Sequence, residues 1–192
     1  MRPKDDIKLE KIYQATLKLT GQFGLAGITM ARIAQAAGIA TGSLYTYFPG
    51  KTELVQQTYQ QTLKLYARNL FQGIPDEQAV KPAIKQIFAN YLHFLQEHQA
   101  VWLFQDQYFM SSYAIANKSS AAAALEMLAP LVRLLDRGKQ EQALKNIPDS
   151  YFLMLLLGLS HELAVAIKIG THDFSEEILE TSFRLFWDAI KA

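Results

Sequence analysis

Two short helices separated by a glycine are predicted between Thr29 and Phe48, where the sequence reads TMARIAQAAGIATGSLYTYF. Threonine is a favoured N-cap residue, and apolar residues recur at helical spacing after Thr29. Gly38 is expected in the left-handed conformation that ends the first helix. The second helix begins near Thr41 and ends at Phe48, because the proline that follows disfavours helical backbone there. This pair of helices constrains the fold more than any other part of the chain.

The rest of the chain is also predicted to be helical. Ala, Leu, Gln, Lys and Glu dominate the sequence, and these residues lose little rotamer freedom in a helix. The other predicted helices cover about Asp5–Phe23, Lys51–Phe71, Lys81–Glu97, Ala100–Ala116, Ser119–Arg137, Asp149–Ile169 and Phe174–Lys191. About nine helices with short loops predict an all-α protein.

Composition excludes several classes of protein. Half of the 192 residues are hydrophobic, which is enough for a sizeable core and excludes wholesale disorder. The chain has no cysteine, which excludes disulfide scaffolds, thiolate metal sites and a cysteine nucleophile. At about 150 residues per domain, the length predicts one large domain or two small ones.

The chain is expected to be cytoplasmic and to stay out of membranes. Residues 1–10 are charged where a signal peptide would become apolar. The most apolar stretch runs from Tyr151 to Leu159, and His161 and Glu162 follow it closely. A membrane span needs roughly 20 apolar residues, so this stretch is expected to be too short.

Charge is distributed unevenly along the chain. Residues 1–68 contain nine Lys and Arg against four Asp and Glu, a net of +5, whereas the whole chain carries only +1. A basic N-terminal segment on an acidic body is typical of a protein that binds a polyanion at one end. Ordinary fluctuation in composition is the alternative explanation.

The two short helices also form a candidate DNA-binding motif. In a helix-turn-helix the second helix enters the major groove of DNA. Here that helix carries short hydroxyl side chains for phosphates or base edges, a glycine that permits close approach, and two tyrosines. A lysine at the start of the next helix could bind a phosphate. The candidate DNA contacts are Thr29, Thr41, Gly42, Ser43, Tyr45, Thr46, Tyr47 and Lys51. Leu44 and Phe48 are expected to be core residues.

The segment resembles the DNA-binding domain of the TetR family of transcriptional regulators. The matching positions are Thr29, Ile33-Ala34, Ala37-Gly38-Ile39, Gly42 to Phe48, Lys51 and Glu53-Leu54. Pro49-Gly50 departs from the family pattern, which usually carries a polar or basic residue and then Ser, Thr or Asp. The resemblance implies a helix-turn-helix domain over residues 1–54, with its motif at 29–48, and a helical effector-binding and dimerisation domain over 55–192.

Aromatic residues concentrate between residues 84 and 113. Pockets in helical bundles are often lined by aromatic side chains, and the resemblance implies an effector pocket in this body. The predicted lining is Phe88, Tyr91, Trp102, Tyr108, Phe109, Tyr113 and Met127. Only Lys118 is basic between Gln86 and Arg133, which favours a small neutral or cationic apolar effector. Simple core packing is the alternative for most of these aromatic residues.

A homodimer is predicted from the last two helices. Apolar residues surround the helix over Asp149–Ile169 on every side, so one face must be buried by something other than its own core. The last helix carries a second apolar stripe, and the resemblance implies a four-helix bundle between two subunits. The predicted interface residues are Tyr151, Leu155, Gly158, Phe183, Phe186 and Trp187.

No catalytic or metal-binding pattern is found, and neither an enzyme nor a cofactor is predicted. His161-Glu162 begins like the HExxH zinc motif, but Val165 stands where the second histidine is needed. The predicted function is a ligand-responsive transcriptional regulator, a repressor that releases a roughly palindromic double-stranded operator when its effector binds. The alternative is a TetR-like helical protein without operator binding, which acts through ligand or protein contacts.

Overall fold

The structure is a computed structural model that describes residues 3–75, 77–116 and 126–192. These residues contain ten helices and no β-strand, which confirms the predicted all-α class. The helices are α1 (Pro3–Gly27), α2 (Met30–Ala37), α3 (Thr41–Tyr47), α4 (Lys51–Leu70), α5 (Val80–Glu97), α6 (Gln99–Phe109), α7 (Ser112–Ala116), α8 (Ala129–Gln140), α9 (Asp149–Lys168) and α10 (Glu176–Ile190).

The ends of α2 and α3 follow the local signals in the sequence. Thr29 caps α2, and its Oγ1 accepts a hydrogen bond from the backbone N–H of Arg32 at 3.3 Å. Gly38 ends α2 in the left-handed region with φ 69°. Phe48 is extended, with φ −134°, so α3 stops at Tyr47. The predicted two-helix unit is therefore confirmed to within one residue.

Three of the other predicted helices differ from the structure. α1 continues to Gly27 across a kink at Gly24, whose φ of 71° is a conformation that glycine adopts at little cost. The helix predicted over Ala100–Ala116 is broken into α6 and α7, where the Ser111 hydroxyl accepts a hydrogen bond from the Tyr113 N–H. The helix predicted over Ser119–Arg137 falls partly on residues 117–125, outside the described residues, and a turn at residue 128 precedes α8.

The described residues form two compact units. The first contains α1, α2, α3, the part of α4 up to Leu65, α6 and α7. The second contains the rest of α4, α5, α8, α9 and α10. The units follow a different division from the predicted boundary after residue 54, because α6 packs against α1. The functional boundary at residues 54 and 55 stays a prediction.

Each unit has its own core. In the first unit, Ile12, Ile33, Leu44 and Phe48 are completely buried, and Tyr13 packs edge-on to Phe48. In the second unit α5 contacts α8, α9 and α10. The ring of Phe88 on α5 lies 5.8 Å from that of Phe183 and 5.4 Å from that of Phe186, between centroids.

α9 is the most apolar helix, and little of it is buried. By length and composition it could cross a membrane, with a mean hydropathy of 1.7 over a stretch of which 22% is buried. The expectation that the apolar stretch is too short was therefore wrong, because apolar residues continue beyond His161 and Glu162 to Ile167. Phe152, Leu156 and other buried residues of α9 face the unit's core, and the opposite side is uncovered.

Gly138 in α8 provides a test of the second core. A Cβ atom there would lie 2.5 Å from Leu144 Cδ1 and 2.9 Å from Val80 Cγ1, and both neighbours are buried. We expect Gly138→Ala to lower the free energy of unfolding by about 1–3 kcal/mol, measured by chemical denaturation, because overpacking outweighs the gain in helix propensity. The control is Gly21→Ala in α1, where a Cβ meets nothing within 4 Å. It should raise stability by about 0.5–1 kcal/mol. Equal effects of the two changes would contradict this packing.

Candidate nucleic-acid interface

α3 is held by two buried residues and exposes polar ones. Leu44 and Phe48 are 0% exposed and attach the helix to the core of the first unit. The structure brings five of the predicted DNA contacts together on the exposed surface of α3, which we call the α3 face. They are Thr41, Gly42, Ser43, Tyr45 and Thr46. Their side chains are short or end in a hydroxyl group, so this surface can donate hydrogen bonds to phosphates and base edges.

Two details of the α3 face affect how closely it can approach a ligand. A Cβ atom at Gly42 would meet nothing within 4 Å, so packing within the protein does not require glycine there. The Thr46 hydroxyl donates to the Ser43 carbonyl at 2.7 Å, so it must reorient before it donates elsewhere. Thr29 lies outside α3, is exposed, and serves as the cap of α2.

Tyr47, a predicted phosphate contact, already has a partner in the protein. Its hydroxyl donates a hydrogen bond to Asp5 Oδ1 in the first turn of α1 at 3.0 Å. Because the carboxylate accepts the phenol proton, this bond raises the pKa of Tyr47 above its ordinary value. The sequence alone does not reveal this contact, since 42 residues separate Asp5 from Tyr47 and no local pattern connects them.

The C-terminal end of α1 is bound by two basic side chains. Lys51 Nζ donates to the Ala26 carbonyl at 3.2 Å, and Arg32 Nη1 donates to the Gly27 carbonyl at 3.1 Å. The Arg32 guanidinium also lies 4.9 Å from the ring centroid of Phe23. Partial burial lowers the pKa of Lys51. Lys51 therefore stabilises the end of α1 in addition to its predicted role toward a phosphate.

α6 contributes polar contacts that sequence analysis did not predict. Gln107 Oε1 accepts from the Leu25 N–H at 2.6 Å, beside the kink in α1. Gln107 Nε2 donates to the Thr20 carbonyl at 3.4 Å, and Gln105 Nε2 donates to Thr62 Oγ1 at 3.0 Å. α6 is thus connected to both α1 and α4 within the first unit. These contacts join residues more than 40 positions apart, which no short motif reveals.

The predicted effector residues are divided between the two units. Trp102, Tyr108, Phe109 and Tyr113 belong to the first unit, and Phe88, Tyr91 and Met127 belong to the second. Most of the aromatic residues are buried, but Phe109 is 56% exposed. The placement of all seven around one pocket stays a prediction.

Tyr108 combines core packing with an unsatisfied polar group. Its ring stacks on Tyr59 with centroids 4.0 Å apart, and burial raises the pKa of Tyr59 to about 12. The Tyr108 hydroxyl is buried and has no hydrogen-bond partner in the part of the chain that the structure describes. Buried polar groups normally have partners, so this hydroxyl is a candidate anchor for a ligand.

The second unit has a groove that the sequence did not predict. Its volume is about 500 Å³, which is within the range of ligand pockets. It is lined by Phe71, Ile74, Pro75, Ala83, Ile87, Pro130, Arg133, Leu134 and Arg137. None of the predicted effector residues lines this groove.

The predicted dimer residues fall into two groups. Tyr151 and Leu155 on α9 are 55% and 38% exposed, and Gly158 is exposed beside them. Phe183 and Phe186 on α10 are each only 4% exposed. The apolar stripe of α10 packs against α5 of the same subunit, and the role of these two residues at an interface stays a prediction.

Trp187 is intermediate in exposure between these two groups. It is half-buried, and the ammonium of Lys81 lies 5.4 Å from its ring centroid. Its role at an interface stays a prediction.

Sequence models of two protein families match the chain. The family described as bacterial regulatory proteins, tetR family, matches residues 12–58, which include α2 and α3. The family described as tetracyclin repressor-like, C-terminal domain, matches residues 80–191, more than half of the chain.

Individual proteins resemble the chain along nearly its whole length. An uncharacterized HTH-type transcriptional regulator of Haemophilus influenzae is 24% identical over 183 residues, which is 95% of each chain. A TetR family transcription regulator from Marinobacter aquaeolei VT8 has a similar crystal structure, with a TM-score of 0.92 and 20% identity over 100% of this chain and 99% of that one. A TetR family protein from Vibrio parahaemolyticus has a TM-score of 0.85 and 23% identity over 96% and 99% of the two chains.

The structural likenesses support the fold. The family models match residues 12–58 as the tetR-family regulatory domain and residues 80–191 as the tetracyclin repressor-like C-terminal domain. Members of this family use the helix-turn-helix to bind DNA operators, and they usually act as dimers. The chain belongs to the TetR family of bacterial transcriptional regulators.

Proposed function

We propose that the protein binds a double-stranded operator with α3 in the major groove. The observation that carries this proposal is the α3 face, where five predicted contacts lie exposed on a helix that buried Leu44 anchors to the core. Thr41, Ser43 and Thr46 would contact base edges or phosphates, and Gly42 would allow close approach. Tyr45, Tyr47 and Lys51 would bind the backbone, and Thr29 would contribute its exposed hydroxyl. The +5 charge of residues 1–68 favours binding to phosphates.

The proposed operator is roughly palindromic, because we propose that the protein is a homodimer. The uncovered side of α9 carries Tyr151, Met154 and Leu155, and Met154 is 66% exposed. Gly158 lies on the same side, and a Cβ atom there would meet nothing within 4 Å, so another helix could approach closely. A second α9 related by two-fold symmetry would cover this apolar surface. The dimer would then present two α3 helices to successive major grooves.

We propose repression that is relieved by a small effector bound near α6. α6 carries Trp102 and Tyr108 and is hydrogen-bonded to α1 through Gln107, so a ligand that shifts α6 would also shift the end of α1. The unpartnered Tyr108 hydroxyl supports a ligand that can form a hydrogen bond. Such a ligand would act by binding one conformation of the protein more tightly than another. The resulting coupling free energy between effector and operator binding is typically about 1–3 kcal/mol. The scarcity of basic residues between Gln86 and Arg133 favours a neutral or cationic apolar compound. The proposed site of action is the cytoplasm, with no catalytic role.

Gly42→Val tests operator binding by α3. The added side chain has open space in the free protein, so the fold should survive, but it would hold the helix away from the groove. We expect at least about tenfold weaker binding to a duplex that the wild-type protein selects from a random pool. Fluorescence anisotropy at several salt concentrations measures this. The matched control is Gly21→Val, which also adds a side chain at an exposed helical glycine and should bind within about twofold of wild type. If both variants bind as the wild type does, α3 does not contact the operator, and the alternative without operator binding is favoured.

Leu155→Glu tests the dimer. A carboxylate on the uncovered side of α9 would have to be desolvated between two subunits, so the dimer should dissociate. Light scattering at micromolar concentration should give twice 21.7 kDa for the wild type and 21.7 kDa for the variant. The control is Ile7→Glu, which places the same charge at a residue of α1 that is 59% exposed, and it should stay dimeric. A monomeric wild-type protein, or one that requires lipid or detergent to stay in solution, would overturn the proposal.

A further inference from the structure

Asp5 is an acidic residue in direct contact with α3. It lies in the first turn of α1 and is half-buried, and its Oδ1 accepts the hydroxyl proton of Tyr47 at 3.0 Å. Residues 1–68 contain only four acidic residues against nine basic ones. A carboxylate at this position opposes the charge that the rest of the segment offers to DNA.

The chemistry of the contact makes Asp5 a competitor for a phosphate. A phenol has one proton to donate, and both a carboxylate and a phosphate diester are acceptors for it. The Tyr47 hydroxyl therefore cannot donate fully to both at once. A phosphate that replaces Asp5 would leave the carboxylate without this donor, close to another anion. Binding at this position then carries an electrostatic penalty, because the acceptor that must be displaced is an anion, whereas the Thr46 hydroxyl would leave only the neutral Ser43 carbonyl.

We propose that Asp5 competes with DNA phosphate for the Tyr47 hydroxyl and thereby limits the affinity of the protein for DNA. This inference rests on the proposed operator binding and adds a negative determinant to it. In the free protein, Tyr47 donates to Asp5. In the complex, the hydroxyl turns to the phosphate, and the Asp5 carboxylate takes up water in its place.

The alternative is that Asp5 only stabilises the fold by tying α1 to α3. The two accounts differ in the sign of the effect on DNA binding. A purely structural contact would weaken binding when it is lost, because α3 would be held less firmly. A competitor would strengthen binding when its charge is removed, even with a small loss of thermal stability.

Asp5→Asn separates these accounts, and Asp6→Asn is its matched control. Asparagine keeps an acceptor for Tyr47 and removes the charge. Asp6 is the next residue of α1, is exposed, and gives the same change in net charge. Binding is measured by anisotropy with a mixed-sequence duplex of about 30 base pairs, from about 50 to 200 mM salt. We expect Asp5→Asn to bind about five- to tenfold more tightly than wild type, and Asp6→Asn less than about twofold more tightly.

Tyr47→Phe in both backgrounds tests the shared proton. In the wild-type background, the Tyr47 hydroxyl must leave Asp5 before it can bind a phosphate, so it contributes little to binding. Its removal should therefore lower the affinity for DNA less than about twofold. In the Asp5→Asn background, the hydroxyl is more available to the phosphate, and the same change should weaken binding about fivefold or more. Thermal unfolding of each variant verifies that it is folded. If Asp5→Asn does not fold, Asp5→Ser removes the charge and keeps a small acceptor.

The results distinguish failure of this inference from failure of the proposed function. Salt-dependent binding by the wild type, with Asp5→Asn no tighter than Asp6→Asn, would overturn the competition alone. A folded Asp5→Asn variant that binds more weakly than wild type would also overturn it. No binding to any duplex by the wild type or by Asp5→Asn would overturn both proposals.

Discussion

The complete burial of Leu44 and Phe48 determines what α3 can do. Each apolar side chain removed from water contributes about 1.5–3 kcal/mol, and together they bind a helix of only seven residues to the core of the first unit. A helix this short has no stability of its own in water. Its polar residues are consequently displayed by the packing beneath them. Substitutions of the exposed residues can therefore change binding without changing the fold.

The end of α1 is the second constraint on the α3 face. The chain turns at Gly24 and reaches Thr29 within five residues, so the position of α2 depends on the backbone between them. Side chains from three elements bind that backbone: Gln107 from α6, Arg32 from α2 and Lys51 from α4. The DNA-binding part of the chain is therefore held by α6, which lies far away in sequence, as well as by its own core. This arrangement gives a physical route by which a change in α6 could alter operator affinity.

Local features of the sequence predicted α2 and α3 well, since three of their four ends are determined by neighbouring residues. Thr29 caps its own helix, Gly38 adopts its own left-handed conformation, and Pro49 restricts the residue before it. Contacts between distant segments were not predictable in this way. The hydrogen bonds of Tyr47 to Asp5 and of Gln107 to Leu25 depend on how helices pack, and single residues carry no periodic signal for that.

The apolar stripe on α10 shows a related limit. Its spacing correctly predicted an amphipathic helix, but spacing does not tell whether the partner belongs to the same subunit or to another. Phe183 and Phe186 pack against Phe88 of the same subunit, whereas Tyr151 and Leu155 on α9 remain exposed. Likewise, the break between α6 and α7 depends on the Ser111 hydroxyl, whose competition with helical backbone a general propensity does not capture.

Hydroxyl-radical footprinting of an operator selected from a random pool tests most directly whether a symmetric dimer binds DNA with α3. Two protected half-sites of the same sequence in opposite orientation, centred about 10 base pairs apart on one face of the duplex, are the predicted result. Protection should weaken steeply as salt rises from about 50 to 200 mM. A single half-site without symmetry, or no protection at any protein concentration, would contradict the account.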